Sequence, residues 1–339
     1  MSTLKDIALR CNCSIAAVSK ALNGRPDISP LTAQRIREAA SEMRYVPNTA
    51  ARTLITTFSR IIGLLFYLRG TNIWEHEYHS RIAAGIQEVM EQQGYDITPV
   101  NIARKSVVGN YADYCKHRNY DGVLVLSLEH DASELTEFVL SNPVLPMVMV
   151  DASAPNHSAV ISDNYTGMLE LLRYIHSRGH RRIAFVHGED TFITRARVKA
   201  FTEGCSALRL EVPKGYCRAA VYLDTEKTAR AVSELLALEP RPTCILCPDD
   251  FAAIGAFNEI RRQGLSVPED ISLAGYDGIR LSQVMSPKLT TMQQDMHGIG
   301  RKAAEMLLET IKNPGMSPRH LYLGGTLMQG ETVRDLNVS

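Results

Sequence analysis

The sequence predicts an α/β protein, in which a small all-α N-terminal domain precedes a larger core built on parallel sheets. From residue 60 onward, short apolar runs such as "RIIGLLFYL", "DGVLVLS" and "ISLAGYD" alternate with longer stretches of helical periodicity. Strands that alternate with helices form parallel sheets covered on both faces. The first 60 residues show helical patterns and turn residues instead. A chain of 339 residues is long enough for two or three domains.

Capping and turn residues predict two short helices at the start of the chain. Thr3 and Asp6 form an acidic variant of the capping box in front of a helix over residues 4–11. In "CNCS", Asn12 can take the left-handed conformation that a tight turn needs. Ser14 then caps a second helix, roughly residues 14–22, and the Asn-Gly pair that follows ends it.

A third helix is predicted after Ser29, which serves as its cap and is followed by Pro30 at the first helical position. The apolar stripe of this helix consists of Ile36, Ala39, Ala40 and Met43. Pro47 ends the helix, and Asn48 can cap a short fourth helix, "TAARTLI".

In the core, the runs "PMVMVD", "RIAFVHG" and "TCILCP" predict further strands. The predicted helices are residues 77–93, 131–141, 163–178, 194–209, 225–238 and 249–263. Asp151, Asp249 and Asp277 lie where strands end, and ligands of parallel sheets bind outside the carboxyl ends of the strands. We therefore expect these side chains to belong to a ligand site.

Charge is distributed unevenly along a chain whose formal net charge is zero. Residues 1–60 contain nine Lys and Arg against four Asp and Glu, a balance of +5, which leaves −5 for the rest. A basic N-terminal segment on an acidic body indicates a nucleic-acid partner, although weakly. The N-terminus lacks the pattern of a signal peptide, and no apolar stretch reaches the roughly 18 residues of a membrane span. These features predict a cytoplasmic protein without a membrane partner.

The patterns that would indicate an enzyme or a metal site are weak. The pairs "CILC" at 244–247 and "CNC" at 11–13 have no second pair to complete four ligands. "HEYH" at 76–79 misses the spacing of a zinc protease. No Walker loop, complete G-x-G-x-x-G or G-x-S-x-G occurs. We expect no catalytic residues, no cofactor and no metal, and seven cysteines that are reduced thiols.

Four N-terminal segments, "LKDIA", "VSKALNG", "ISPLTAQRI" and "YVPNTAARTL", resemble the DNA-binding head of the lactose-repressor (LacI/GalR) family in order and spacing. The segments "DNYTGMLELLRYIHSRGHRRIAFV" and "DDFAAIGAFNEIRRQGLSVPEDISLAGYDG" resemble that family's periplasmic-binding-protein-like core. The resemblance covers essentially the whole chain. It implies a helix-turn-helix domain (1–46), a hinge helix and linker (47–59), and a type I core (60–339) that binds an effector and dimerises.

The resemblance also divides the core into two subdomains. The expected N-subdomain is about 60–161 plus 291–321, and the expected C-subdomain is about 162–290 plus 322–339.

The family places the second helix in the major groove of DNA. Ile15, Ala16 and Lys20 would then face the bases: Lys20 can donate to guanine O6 and N7, and the other two can contact thymine methyl groups. The family usually has glycine, threonine and arginine where this chain has Asn12, Ala17 and Lys20, which puts the operator sequence in doubt. The other DNA-contact positions implied by the resemblance are Thr3, Leu4, Ser14, Ser19, Asn23, Ser29, Thr32, Tyr45, Asn48 and Ala51. Several of these residue types are also ordinary helix caps or surface residues.

"NTAARTL" resembles the hinge helix, in which a leucine from each subunit wedges into the central minor groove. Leu54 takes that position here. A helix this short is marginal alone, so it should fold only on DNA beside its dimer mate. The alternative is an ordinary linker with one stray leucine.

By resemblance, Asp151, Arg197, Asp249 and Asp277 line an effector cleft between the subdomains. Carboxylates accept hydrogen bonds from hydroxyl groups and an arginine donates two parallel bonds, which suits a sugar. Three aromatic residues could cover the apolar side of a sugar, namely Trp74, Tyr78 and Phe251. The alternative for Asp249 and Asp277 is helix capping or loop bonding, and the alternative for Trp74 is a surface or dimer contact.

The sequence thus predicts a DNA-binding repressor of carbohydrate-metabolism genes, a homodimer released from its operator by a small sugar or sugar derivative. A co-repressor-dependent regulator that binds a nucleobase or another metabolite is the alternative. A stand-alone solute-binding protein fits less well, because the signal peptide is missing and residues 1–58 are present.

Overall fold

The computed structural model describes residues 2–22, 24–45, 58–66, 76–100, 111–126 and 145–338. The chain separates into two compact units, Met1–Ser59 and Arg60–Ser339, which are called the head and the body below. Among the residues described, no helix combines the length and the apolar composition that a membrane span requires.

The described part of the head contains three helices: α1 (Leu4–Arg10), α2 (Ile15–Leu22) and α3 (Pro30–Glu42). The predicted capping box is present, since Thr3 Oγ1 accepts from the Asp6 backbone N–H and the Asp6 carboxylate accepts from the Thr3 N–H at 2.8 Å. Asn12 has φ +46°, as the tight turn requires. Ser14 Oγ accepts from the backbone N–H of Ala17 at 3.1 Å. The cap predictions for the first two helices are therefore confirmed.

The third cap and the small core of the head are also as predicted. Ser29 Oγ accepts from the Thr32 N–H, and Pro30 is the first helical residue. One apolar cluster joins the three helices and buries the following side chains: Ile7, Ala8, Cys11, Val18, Ala21, Ala33, Ile36, Ala39 and Ala40. The predicted hinge segment, with Asn48, Ala51 and Leu54, lies outside the described residues.

The body alternates strands and helices. Its described strands are β1 (Ile61–Phe66), β2 (Asp96–Pro99), β3 (Gly122–Leu126), β4 (Met147–Val150), β5 (Ser158–Ser162), β6 (Ile183–His187), β7 (Cys217–Ala219), β8 (Cys244–Leu246), β9 (Ser272–Asp277), β10 (Thr290–Gln293), β11 (His320–Leu323) and β12 (Thr326–Met328). Its described helices are α4 (Glu77–Gln92), α5 (Tyr111–His117), α6 (Asn164–Ser177), α7 (Phe192–Ala207), α8 (Thr225–Leu236), α9 (Asp250–Arg262), α10 (Arg280–Val284) and α11 (Met296–Lys312). The helix predicted at 131–141 lies outside the described residues.

The strands form two six-stranded sheets, and the predicted parallel architecture is confirmed. The first sheet has the order β11-β5-β4-β3-β1-β2 and is parallel throughout, with Leu64 opposite Leu124. The second has the order β12-β10-β9-β8-β6-β7, in which β12 alone runs antiparallel to its neighbour. Side chains of successive strand residues enter different clusters: Leu64 packs on one face of the first sheet and Leu65 on the other. Each sheet is therefore buried on both faces.

The chain passes between the two sheets three times, after β5, after β10 and after β11. The second and third crossings follow Gln293 and Leu323, which lie three and two residues beyond the limits of 290 and 321 expected from the sequence. α11 lies on the first sheet against α4. A Cβ at Gly300 would lie 2.0 Å from the carbonyl oxygen of Ile82, so these two helices touch through their backbones.

Candidate functional site

The exposed face of α2 carries the residues that the sequence assigns to the DNA bases. Val18 and Ala21 are fully buried in the head core, which orients the helix. Ile15 is 48% exposed although it is a large apolar residue. Ala16 and Lys20 are exposed as well. An exposed isoleucine next to a small residue and a cation is a suitable surface for a DNA groove, because it offers methyl contact and a donor.

Lys20 makes an ion pair with Asp27 in the loop between α2 and α3. Its Nζ lies 2.6 Å from Asp27 Oδ2, and the two side chains are 49% and 57% exposed. The Lys20 ammonium group lowers the pKa of Asp27 by its hydrogen bond and its charge. The predicted base-contacting lysine thus has a carboxylate partner that the sequence analysis did not identify.

Several predicted backbone-contact residues have structural roles within the head. Thr3, Ser14 and Ser29 cap helices, and Thr32 Oγ1 accepts from Ser29 Oγ at 2.8 Å. Three others, Leu4, Tyr45 and Ser19, are half-buried, and the first two pack against the head core. A capping hydroxyl keeps a free lone pair, so capping does not exclude a phosphate contact. Asn23 lies outside the described residues.

In the body, three predicted carboxylates lie at the carboxyl ends of strands, where a ligand of a parallel sheet binds. Asp151 follows β4, Asp249 follows β8 as the cap of α9, and Asp277 ends β9. Asp151 has φ +48° and Asp277 has φ +108°. The φ of Asp151 lies in the left-handed region that aspartate tolerates, whereas the φ of Asp277 lies outside that region and is strained for an L-residue.

Arg197, on α7, is the cation of this cluster and is 3% exposed. Its Nε donates to Asn164 Oδ1 at 2.7 Å, and its Nη1 donates to the carbonyl of Pro248 at 2.6 Å. Its Nη2 lies 3.9 Å from Asp277 Oδ1. The guanidinium carbon stands 3.6 Å from the ring centroid of Tyr276, a cation–π contact that covers one face. The group is held on several sides and retains Nη hydrogens for a ligand.

Burial dominates the ionisation of the three carboxyl groups. It raises the pKa of Asp151 to about 6, against opposing effects of the Ser162 N–H and the Arg197 charge. It also raises the pKa of Asp249, and that of Asp277 well above its usual value. Because all three side chains are buried, the charged form of each carboxyl group is less stable than it is in water.

The carboxylates differ in how much bonding capacity they have left. Asp249 accepts from the backbone N–H groups of Leu223 at 2.9 Å and Ala252 at 2.8 Å. Asp151 Oδ1 accepts from Ser162 N–H at 2.7 Å, but its buried Oδ2 has no hydrogen-bond partner. An unpaired buried acceptor is costly and marks a position that a donor can fill.

Four further residues belong to this cluster although the sequence analysis did not select them. Asn164 and Tyr276 contact Arg197, and Tyr222 lies 6.0 Å from its guanidinium carbon. Gln294 Nε2 donates to Asp277 Oδ1 at 2.6 Å, and its buried Oε1 has no hydrogen-bond partner. Tyr276 stands next to Asp277 in sequence, which is the one signal that could have found it. Asn164, Tyr222 and Gln294 come from distant segments.

The predicted aromatic residues Tyr78 and Phe251 pack partly against the core on one side of the first sheet. The Phe251 ring lies 6.0 Å from that of His76, edge to face. Nearby, Glu77 Oε2 accepts from the Arg280 backbone N–H at 2.8 Å, so α4 of one sheet layer contacts α10 of the other. Trp74 lies outside the described residues.

Two buried cysteines and one open cavity lie among the other described features of the body. Burial raises the pKa of both Cys244 and Cys247, which lie in the interior at β8. In the described ranges, no group of three or more His, Cys, Asp or Glu is placed to hold a metal. An open cavity of about 620 Å³ lies apart from the cluster, lined by Ser153, Ala154, Pro155, Asn156, His157, Pro318 and His320.

Solved structures with the same fold cover nearly the whole chain. The lac repressor dimer bound to operator and the anti-inducer ONPF superposes with a TM-score of 0.81 at 24% identity, covering 98% of this chain and 99% of that one. The transcriptional regulator CelR in complex with cellobiose gives a TM-score of 0.73 at 24% identity, covering 98% and 100%. At this identity the likeness establishes the fold, with its helical head and two-sheet body.

Sequence comparison gives the family. Residues 3–48 match the family described as "Bacterial regulatory proteins, lacI family", and residues 172–333 match the "Periplasmic binding protein-like domain". "HTH-type transcriptional repressor PurR" of Actinobacillus pleuropneumoniae is 30% identical over 343 residues, covering 99% of this chain and all of that protein. "Probable HTH-type transcriptional repressor ExuR" of Bacillus subtilis is 30% identical over 339 residues, covering 99% of both. The head that matches at residues 3–48 and the full-length relatives together show that this chain belongs to the lacI family of bacterial regulatory proteins.

Proposed function

We propose that this chain is a transcription repressor whose affinity for operator DNA is controlled by a small polyhydroxylated effector. The effector binds at the Arg197 cluster, which consists of Arg197 and the carboxylates of Asp151, Asp249 and Asp277. The observation that carries the proposal is the burial of one guanidinium against a tyrosine ring, beside carboxylates from three different strand ends. Strained backbone at Asp277, whose φ is +108°, supports a functional site over a purely structural one.

The bonding capacity left in the cluster suits a sugar. Asp151 Oδ2 and Gln294 Oε1 are buried acceptors that need donors, and each hydroxyl of a sugar can donate to one of them. The free Nη hydrogens of Arg197 can donate to the ring oxygen or to a hydroxyl oxygen. Asp277 accepts one bond from Gln294 and can accept another from the ligand. A hydroxyl group both donates and accepts, which fits this mixed set better than an apolar ligand does.

The assignment of individual residues is part of this proposal. We assign effector contacts to Asp151, Arg197, Asp249 and Asp277, with Trp74, Tyr78 and Phe251 as aromatic neighbours. The two sheet layers with their helices are the proposed N- and C-subdomains, and the effector lies between them. The CelR structure contains cellobiose, which supports a carbohydrate here. A nucleobase acting as co-repressor is the second candidate.

The head is the proposed DNA-binding part. A homodimer would place two α2 helices in successive major grooves about one helical turn apart, on a pseudo-palindromic operator. The solved lac repressor dimer is bound to its operator, which supports this arrangement. Ile15, Ala16 and Lys20 would contact bases, and Leu54 of each subunit would enter the central minor groove. Because the target is chromosomal DNA, we place the protein in the cytoplasm.

Coupling between the two sites follows from differential binding. An inducer binds the DNA-free state better and a co-repressor binds the DNA-bound state better, and each ligand shifts the equilibrium by that difference. We propose induction: the effector rearranges the two sheet layers, and the hinge segment around Leu54 loses its helix.

The test is a thermal-shift screen of the full chain against neutral sugars, sugar acids, sugar phosphates and nucleobases. A ligand at about 100 times its Kd should stabilise the folded body by roughly 2.7 kcal/mol. A hit among the sugars supports the proposal when Asp277→Ala, which should still bind DNA, loses the shift. A hit with nucleobases alone would replace the sugar by the second candidate. A hit that Asp277→Ala retains would show that the cluster is not the effector site.

A further inference from the structure

The ion pair between Lys20 and Asp27 joins the proposed base-reading helix to the loop that follows it. The Nζ–Oδ2 distance is 2.6 Å, short enough for a charge-assisted hydrogen bond. Lys20 lies in the last turn of α2, and its carbonyl accepts from the Arg25 N–H at 3.0 Å, which fixes the start of the loop. Asp27 is exposed and precedes Ser29, the cap of α3.

A lysine alone is a poor reader of a base. Its ammonium group is a point charge with three rotatable donors on a flexible stem, so it can turn to any nearby phosphate. Arginine avoids this by its planar fork, which matches guanine O6 and N7. The ion pair with Asp27 restricts the direction of the lysine donors, as the planar shape does for arginine. It takes one of the three donors of Lys20 and leaves two to point away from the loop.

The Asp27 carboxylate is also unfavourable for DNA binding, which indicates that the residue has a specific role. The exposed face of a DNA-binding head meets phosphates, and a negative charge beside that face opposes the approach of DNA. The head has four acidic residues within its first 60, and Asp27 is the one that contacts the proposed base-reading side chain. Exposed ion pairs contribute little to stability, so stability gives no sufficient reason for it.

We propose that Asp27 is a positioning residue that holds Lys20 toward a guanine and keeps it from neutralising phosphates of any sequence. The inference rests on the proposed function of the head as the DNA-binding part. Asp27 therefore lowers affinity for DNA in general and raises the preference for one base at the position that Lys20 reads.

The experiment uses the full-length protein and a duplex library with about 20 random base pairs, enough for two half-sites one turn apart. Wild-type protein selects its preferred sites, and binding is then measured for wild type, Asp27→Asn and Glu38→Gln. Glu38 is the matched control, because it is exposed on α3, accepts from Gln34 at 3.0 Å, and its neutralisation changes the head charge equally. Asp27→Asn is also combined with Lys20→Ala.

Two results are expected. Asp27→Asn should lose at least threefold more discrimination at one base pair of each half-site than Glu38→Gln does, with the other positions unchanged. The affinity of Asp27→Asn for the unselected library should also depend more steeply on salt, because Lys20 is then free to contact a phosphate. The slope of log affinity against log salt concentration should become steeper by about one for each head. In the Lys20→Ala background, the Asp27 substitution should change neither quantity.

Equal effects of Asp27→Asn and Glu38→Gln at every position would overturn the inference, because they would show a general charge effect only. The inference would also be overturned if Asp27→Asn changed base discrimination and salt dependence in the Lys20→Ala background as much as it does in wild type. A wild-type protein that selects no sequence would instead refute the proposed function, so the two failures are distinguishable.

Discussion

The unfolding free energy of Asp151→Asn should increase relative to that of wild type as the pH rises, because the wild-type carboxylate is buried with one oxygen unpaired. Burial raises the pKa of Asp151 from 3.8 to about 6. Since the folded value lies above the unfolded one, the charged form costs stability that is absent below pH 3.8 and complete above about pH 6. At about 1.4 kcal/mol for each pKa unit, the full cost is about 3 kcal/mol.

Asparagine keeps an oxygen for the Ser162 N–H and has no charge to desolvate. Its buried NH2 group lacks a partner too, but that cost does not depend on pH. The difference in unfolding free energy between Asp151→Asn and wild type should therefore increase by about 2 kcal/mol between pH 4.5 and pH 8, whatever its absolute value. The same substitution should weaken effector binding, because the amide NH2 cannot accept from a hydroxyl.

Urea unfolding of the full chain checks this. The circular-dichroism signal of the helices follows mainly the body, because eight of the eleven helices in the described residues belong to it. Asp190→Asn is the control, since that side chain is 73% exposed. A difference between Asp151→Asn and wild type that stays constant within about 0.5 kcal/mol across this pH range would refute the reasoning.

Two further predictions concern packing and DNA. Gly300→Ala should destabilise the body by at least about 2 kcal/mol, because its Cβ would lie 2.0 Å from the backbone oxygen of Ile82. The control in the same urea assay is Gly324→Ala, whose Cβ meets nothing within 4 Å and which should be nearly neutral. Leu54→Ala should lower operator affinity in an anisotropy titration with selected duplexes and leave effector affinity unchanged. The control Leu9→Ala, which removes an apolar side chain 72% exposed on α1, should change neither affinity. Unchanged operator binding by Leu54→Ala would remove the argument for a minor-groove wedge.

Local patterns predicted the head and most of the body. The caps at Thr3, Ser14 and Ser29 and the turn at Asn12 depend on neighbours within four residues, so the sequence shows them directly. Long buried strands such as β9 are visible as apolar runs. The short edge strands β7, β11 and β12 are not, because they are partly exposed and owe their conformation to the strand beside them.

The site was predictable in its charged residues and less so in the residues that orient them. Asp249 and Asp277 end predicted strands, and a parallel sheet brings such ends together. Asn164 and Gln294 join the site because the chain crosses between the sheets next to them. That proximity depends on tertiary topology, which no local pattern contains. The Lys20–Asp27 pair was missed because it links a helix to a loop across seven positions.

The three crossings between the sheets determine how this protein can be recombined. The head is one continuous segment, so a single junction near Ser59 exchanges it for the head of another regulator and, on the proposed function, transfers operator choice with it. Neither sheet layer of the body is continuous, since each collects strands from segments before and after a crossing. A chimaera that swaps the second layer needs three junctions, and C-terminal truncation after β5 or after β10 removes strands from both sheets. On the proposed function, exchange of the head at one junction would change DNA specificity, whereas a change of effector specificity would come from substitutions among the side chains of the Arg197 cluster.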